Sequence, residues 1–219
     1  FGTKTVGGEP VDEHSIYEIG SISKTFTATL LADNIVKGKM KVDDPISKYL
    51  PASVKVPTYK GGGPPITLGH LSDHTSSMLR MPTNMPESDP TDPAADYTPE
   101  LMYAFLSSYE LPREVGSEYE YSNFAVGVLG QIQALVAGTS YEEALTSVIT
   151  SPLKMKETAI TLSPKMKENL AVGHSMGMPV NNWDLNAMQG AGGIRSSAHD
   201  MLLYLSANLG LTKSQLSKA

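Results

Sequence analysis

Four residues in two short stretches have the types and spacing to act together. In Tyr17-Glu18-Ile19-Gly20-Ser21-Ile22-Ser23-Lys24-Thr25, the hydroxyl of Ser21 is followed three positions on by the amine of Lys24, and the apolar spacing that follows is helical. Residues three apart share a helix face, so the two side chains can meet. The free N–H groups and positive dipole end of a helix starting near Ser21 favour an oxyanion beside it. This is the arrangement of an activated serine. The second stretch, Tyr119-Glu120-Tyr121-Ser122-Asn123, adds a phenol and an amide. A phenol with a pKa of about 10 is a poor base in water, but a neighbouring ammonium favours its anion. Tyr121 and Lys24 could therefore share the task of taking the proton from Ser21. Asn123 offers an amide able to donate to a substrate carbonyl and to bond the lysine. Taken singly, each residue also has a plainer reading: Ser21 as a helix N-cap with Lys24 solvated, Tyr121 as a packing side chain, Asn123 as a helix cap.

Two other serines compete. Ser151-Pro152-Leu153-Lys154 repeats the Ser-x-x-Lys spacing, but Pro152 and the preceding helix end place it in a turn, outside the context the chemistry needs. Gly173-His174-Ser175-Met176-Gly177 matches the Gly-x-Ser-x-Gly elbow of α/β-hydrolases, with Asp184 and His199 following. That elbow needs a buried strand before it and a helix after it. Here residues 165–169 are polar and Met178-Pro179-Val180-Asn181-Asn182 reads as a loop, so an esterase using Ser175 is the lesser alternative. His14, His70, His74 and His174 show no metal-ligand spacing and read as hydrogen-bonded structural residues. No metal and no cofactor is expected at the serine.

The elements that must hold these groups are mainly helices. An extended piece over residues 15–19 runs into Gly20, and a helix over 21–37 carries Ile22, Phe26, Leu30, Leu31 and Ile35 before Gly38 stops it. Thr67 caps a short helix over 68–74. Residues 81–99 hold five prolines and read as a long ordered loop. Thr98-Pro99-Glu100 opens another helix. A buried helix runs from Asn123 through Ala137 to a stop at Gly138, and Ser140 to Glu143 forms a capping box for the next. Gly190-Ala191-Gly192-Gly193 marks a close approach of backbone. Ser197 and Asp200 start the last helix, over 201–209. Alternating strands are almost absent.

Composition narrows the partners. The chain has 219 residues, 40% of them hydrophobic, with a net charge of -6 and no cysteine. Dispersed acidic charge argues against nucleic acid or an anionic membrane and leaves small neutral or anionic molecules as substrates. Without cysteine there is no thiol nucleophile, thiolate metal site or disulfide. No apolar run approaches the length of a membrane-spanning helix.

Together these residues resemble the serine β-lactamase and penicillin-binding-protein family, in its class C-like branch. Residues 17–27 are similar to the first motif and Tyr121-Ser122-Asn123 to the Tyr-x-Asn second motif. Asp43-Asp44-Pro45-Ile46, residues 66–77, Pro152-Leu153-Lys154-Met155-Lys156 and residues 190–200 agree in order with stretches around those motifs. The resemblance implies an α/β (α+β) β-lactamase/transpeptidase-like fold, of which this chain is mostly the helical part with the antiparallel core sheet largely missing. It implies one partial catalytic domain over 1–219: a nucleophile segment and central helix at 1–40, a mainly helical region with long loops at 41–189, and a return segment and helix at 190–219.

The same resemblance implies roles. Ser21 would be the acyl-accepting nucleophile, Lys24 its proton partner, Tyr121 the general base and acid, and Asn123 a contact to the substrate's amide. The reaction would be acyl-enzyme hydrolysis of a β-lactam, a D-Ala-D-Ala-type amide or a small ester, without cofactor, in the periplasm or outside the cell. A penicillin-binding module that acylates without turnover is the alternative. The family's third motif, a strand with Lys/His-Thr/Ser-Gly, does not occur in these 219 residues, so this segment is expected to be inactive on its own. Family members often have Gly where His74-Thr75-Ser76-Ser77 ends in Ser, which leaves that loop's conformation open.

Overall fold

The apolar spacing after Ser21 folds as helix α1, Ser23–Val36, in a computed structural model that describes residues 2–86, 89, 91–216 and 218. Strand β1, Ile16–Glu18, leads to Gly20, whose left-handed φ of 52° suits a residue without a Cβ. The chain then makes one 3-10 turn, Gly20–Ile22, before α1 begins. Ser21 therefore sits in this tight turn, two residues ahead of the α-helix.

Helix α1 is shared between two buried clusters. Leu31 joins a core formed with α2 (Leu68–Ser72), α3 (Pro99–Ser108) and α4 (Asn123–Ala137). Phe26 and Leu30 face a second core with α5, Tyr141–Leu145, and the π-turn Thr146–Thr150 that continues it. Each such side chain contributes about 1.5–3 kcal/mol when fully buried, so α1 is fixed from both sides. The expected caps form: Thr67 on α2, Thr98 on α3, and the Ser140–Glu143 capping box on α5. Helix α2 ends at Ser72, short of the expected His74, because His74 itself turns left-handed at φ 65°. Residues 151–154 form a turn, with Lys154 at φ 61°.

After the short α6, Pro164–Glu168, strands β2, Gly173–Ser175, and β3, Met178–Val180, pair as an exposed hairpin around Met176 and Gly177. This corrects the reading of residues 178–182 as loop at positions 178–180, while 181–182 are irregular as expected. Pro179 hid the strand, yet a two-stranded ribbon is all edge, where proline is tolerated. Helix α7, Gln189–Gly192, occupies the expected small-residue run. Strand β4, Arg195–Ser197, then pairs antiparallel with β1, setting Ile16 against Ser197 and Glu18 against Arg195. The capped α8, Ala198–Asn208, follows. The described strands form only two two-stranded sheets, and the architecture is the helix-dominated part of a mixed α/β fold.

One contact sets the geometry of the site. A Cβ on Gly190 would stand 3.0 Å from the Cα of Gly130 and 3.1 Å from Thr27 Oγ1. The glycines let α7 lie directly on α4 while Thr27 of α1 donates to the Gly190 carbonyl at 2.8 Å. Helices α1, α4 and α7 thus meet at one point, just beneath Ser21.

Candidate active site

Ser21 is exposed on its turn, and Tyr121 Oη lies 2.6 Å from its Oγ. From the first turn of α1, Lys24 donates to Ser21 Oγ at 3.1 Å, to Asn123 Oδ1 at 2.8 Å and to the Ala191 carbonyl at 2.6 Å. An ammonium has three N–H donors, and here the Ser21 turn, α4 and α7 engage all of them. Since Lys24 only donates, the Asn123 oxygen must face it. The Asn123 amide N–H2 is then turned outward beside Met81, 3.4 Å from its Sδ. All four predicted residues, Ser21, Lys24, Tyr121 and Asn123, come together.

Asn123 is free for this because it is not the helix cap. Ser122, fully buried, accepts from Ala125 N–H at 2.9 Å and donates to the Leu79 carbonyl at 2.7 Å. Its own N–H donates to His74 Nδ1 at 3.1 Å. The His74 ring also packs on the Tyr121 ring, centroids 4.6 Å apart. Burial and the nearby Lys24 charge hold His74 below the usual histidine range, which matches a neutral ring accepting at Nδ1. On the other side, Arg113 pairs with Glu120. Tyr121 is thus held by its two neighbours in sequence as well as by its own hydroxyl.

Electrostatics favour proton transfer. Burial opposes ionisation of Tyr121, but its polar contacts to Lys24 and Ser21 and the charges of Lys24 and Arg80 outweigh that and hold the phenol below its ordinary value. The Lys24 ammonium is 4.9 Å from the Tyr121 ring centre and the Arg80 guanidinium 5.3 Å. Burial, with a smaller contribution from Arg80, likewise lowers Lys24 despite the opposing attraction of Tyr121.

Ser77 answers the question its loop raised. It keeps a left-handed φ of 62° without being glycine. Its Oγ donates to the Arg113 carbonyl at 2.9 Å and accepts the Arg113 N–H at 3.3 Å, so the side chain stitches this loop to the approach to Tyr121.

A cleft of about 440 Å³ opens beside Ser21, lined by Arg80, Asn123, Trp183, Leu185 and Met188. Trp183 and Met188 are therefore cleft lining. The buried Arg195 steadies the Trp183 wall, donating to the carbonyls of Trp183 at 2.7 Å and Ile160 at 2.9 Å and to Asp184 Oδ1 at 2.9 Å. A larger hollow, about 650 Å³ and lined by Leu170, Asn186 and the other side of Arg195, contains none of the four catalytic candidates. Arg80, His74, Arg195 and the Ala191 carbonyl escaped sequence reasoning as parts of the site. Only Arg80 left a trace, as the one cation in residues 75–95.

The rival serines lack such surroundings. Ser175 is exposed on the hairpin, while Asp184 is tied to Arg195 and His199 to Asp200. Among the described residues, His14, Glu157 and His199 are the group that comes close enough to hold a metal ion, and they lie at the opposite end of the β1–β4 ribbon.

A family model described as Beta-lactamase matches residues 2–219. The D-alanyl-D-alanine-carboxypeptidase/endopeptidase AmpH of Escherichia coli K12 is 35% identical over 192 residues, covering 87% of this chain and 48% of that protein. A β-lactamase from the same strain is 30% identical over 201 residues, covering 92% and 50%. Among solved structures, a β-lactamase/D-alanine carboxypeptidase from Yersinia pestis complexed with citrate superposes with a TM-score of 0.83 at 30% identity, covering 94% of this chain and 57% of that one. A class C β-lactamase from Rhodobacter sphaeroides gives 0.81 at 28% identity, covering 98% and 57%. The chain spans about half the length of the curated relatives it matches. Agreement along nearly the whole of its own length, in sequence and in backbone, identifies the chain as a member of the β-lactamase family.

Proposed function

We propose that the whole protein is a serine hydrolase of class C β-lactamase type, working through an acyl group carried on Ser21. The observation that carries this reading is the pair of contacts to Ser21 Oγ, 2.6 Å from Tyr121 Oη and 3.1 Å from Lys24 Nζ. Tyr121 in its phenolate form takes the hydroxyl proton as Oγ attacks the substrate carbonyl. The resulting phenol returns that proton to the leaving nitrogen or oxygen, leaving an ester on Ser21. Water then attacks the ester with Tyr121 again taking a proton, which it returns to Ser21 Oγ as the acid leaves, restoring the hydroxyl and the phenolate. Lys24 stabilises the phenolate, and the outward amide of Asn123 donates to the substrate.

The relatives are named for two amide chemistries, β-lactam opening and D-alanyl-D-alanine cleavage, and both suit this site, as does a small ester. Export to the cell envelope belongs to the same proposal. Side-by-side assays of the whole protein with a chromogenic cephalosporin, a D-Ala-D-Ala peptide and a nitrophenyl butyrate identify the preferred class. Turnover of at least one, lost in Ser21→Ala, is expected. Full activity in Ser21→Ala, with loss in Ser175→Ala, would instead assign the reaction to the hairpin serine.

A further inference from the structure

At the end of the β1–β4 ribbon away from Ser21, three side chains from distant parts of the sequence converge. His14 stands just before β1, Glu157 between the π-turn and α6, and His199 in the first turn of α8. One ligand atom from each lies within 4.8 Å of the other two. His14 Nδ1 is 3.0 and 3.1 Å from the two Glu157 oxygens, and the two imidazole rings are 5.2 Å apart at 39°. Ligands sharing one tetrahedral ion at about 2.0–2.1 Å stand about 3.3 Å from each other. The His14, Glu157 and His199 side chains are 46%, 21% and 49% exposed, so modest rotations can close them on one ion.

The surroundings distinguish this group from a plain surface ion pair. His199 Nδ1 is 3.2 Å from Asp200 Oδ1, and the Asp200 side chain is only 1% exposed. A carboxylate can only accept, which places the proton on Nδ1 and leaves the Nε2 lone pair outward. This is the carboxylate–histidine pairing that orients metal-binding imidazoles. Asp200 is itself fixed, its Oδ2 accepting from the Glu157 N–H at 2.7 Å and from Thr158 Oγ1 at 2.9 Å. Glu157 Oε2 accepts from Ser197 Oγ at 2.7 Å, which fixes the carboxylate with Oε1 turned to His14 Nδ1, where an ion would take the place of the shared proton. The His199 N–H donates to the Glu13 carbonyl at 2.9 Å, locking the backbones that carry the two histidines.

We infer that His14, Glu157 and His199 form a binding site for a divalent transition-metal ion. Two imidazoles and one carboxylate, with a further position open to water, match zinc. The ion acts as a clamp: it joins the approach to β1 to a segment 143 residues away and to the start of α8.

Calorimetric titration of chelator-stripped whole protein with ZnCl2 tests this, with Co²⁺ absorption as a spectroscopic reporter. One zinc per chain is expected, with affinity at least about ten-fold weaker in His14→Ala and in His199→Ala, as loss of a ligand requires. Saturating zinc raises the melting temperature of the wild type but not of the double variant. Both histidines are half exposed, so the variants leave the cores intact, which circular dichroism checks. Zinc binding by the wild type no tighter than by the His14→Ala/His199→Ala double variant would overturn the site.

Discussion

Tyr121 Oη lies 2.6 Å from Ser21 Oγ across 100 residues of sequence, and Lys24 stands beside both. In the proposed mechanism these three are the base, the nucleophile and a fixed ammonium, held together on a turn pinned by three helices. Tyr121→Phe keeps the ring packing on His74 and removes only the proton carrier. Steady-state kinetics of the whole protein should show kcat lower by about 10²–10⁴-fold, the usual worth of a positioned general base, with a much smaller change in KM.

The rate should depend on pH through the Tyr121–Lys24 pair. With the phenolate as the active form in the proposed mechanism, kcat/KM should rise with pH as Tyr121 ionises, on a limb below the phenol's ordinary value of about 10, because Tyr121 is lowered. It falls again as Lys24, also lowered, loses the proton that makes it a partner. The two limbs belong to the coupled pair. Arg80 lowers both groups, so Arg80→Ala should move both limbs to higher pH, read from pH–rate profiles of wild type and variant.

Gly190→Ala would place a Cβ 3.0 Å from the Gly130 backbone. Helix α7 must then lift from α4, carrying with it the Ala191 carbonyl that holds Lys24. Overpacking of this kind costs about 1–3 kcal/mol, measurable by denaturant titration, and the displaced lysine should lower kcat as well.

Ser77 supports a left-handed backbone with two bonds to Arg113. Ser77→Ala loses both bonds and keeps the strain, while Ser77→Gly loses the bonds but relieves about 1–2 kcal/mol of strain. Denaturant unfolding should rank wild type above the glycine variant or near it, and the alanine variant lowest.

Much of this was legible locally. Ser21 with Lys24, and Tyr121 with Asn123, are each short-range patterns, and the helices around them announce themselves through apolar spacing and caps such as Ser140 and Thr98. What escaped depends on distance in sequence. Strand β4 is three residues of Arg195-Ser196-Ser197 with no alternation to show it, and long-range pairing with β1 and with Ala159 defines it. Pro179 disguised β3. The third partner of Lys24 is a backbone carbonyl, which no side-chain pattern encodes. His14 and His199 meet only because β1 and β4 bring their ends together, and residue spacing carries no sign of that.

The most direct test of the central claim is peptide mapping by mass spectrometry of the whole protein quenched during reaction with a slowly hydrolysed β-lactam. One intact acyl adduct per chain is expected, located on the peptide bearing Ser21, absent in Ser21→Ala and slow to form in Tyr121→Phe. An adduct that persists in Ser21→Ala, or maps to Ser175, would contradict it.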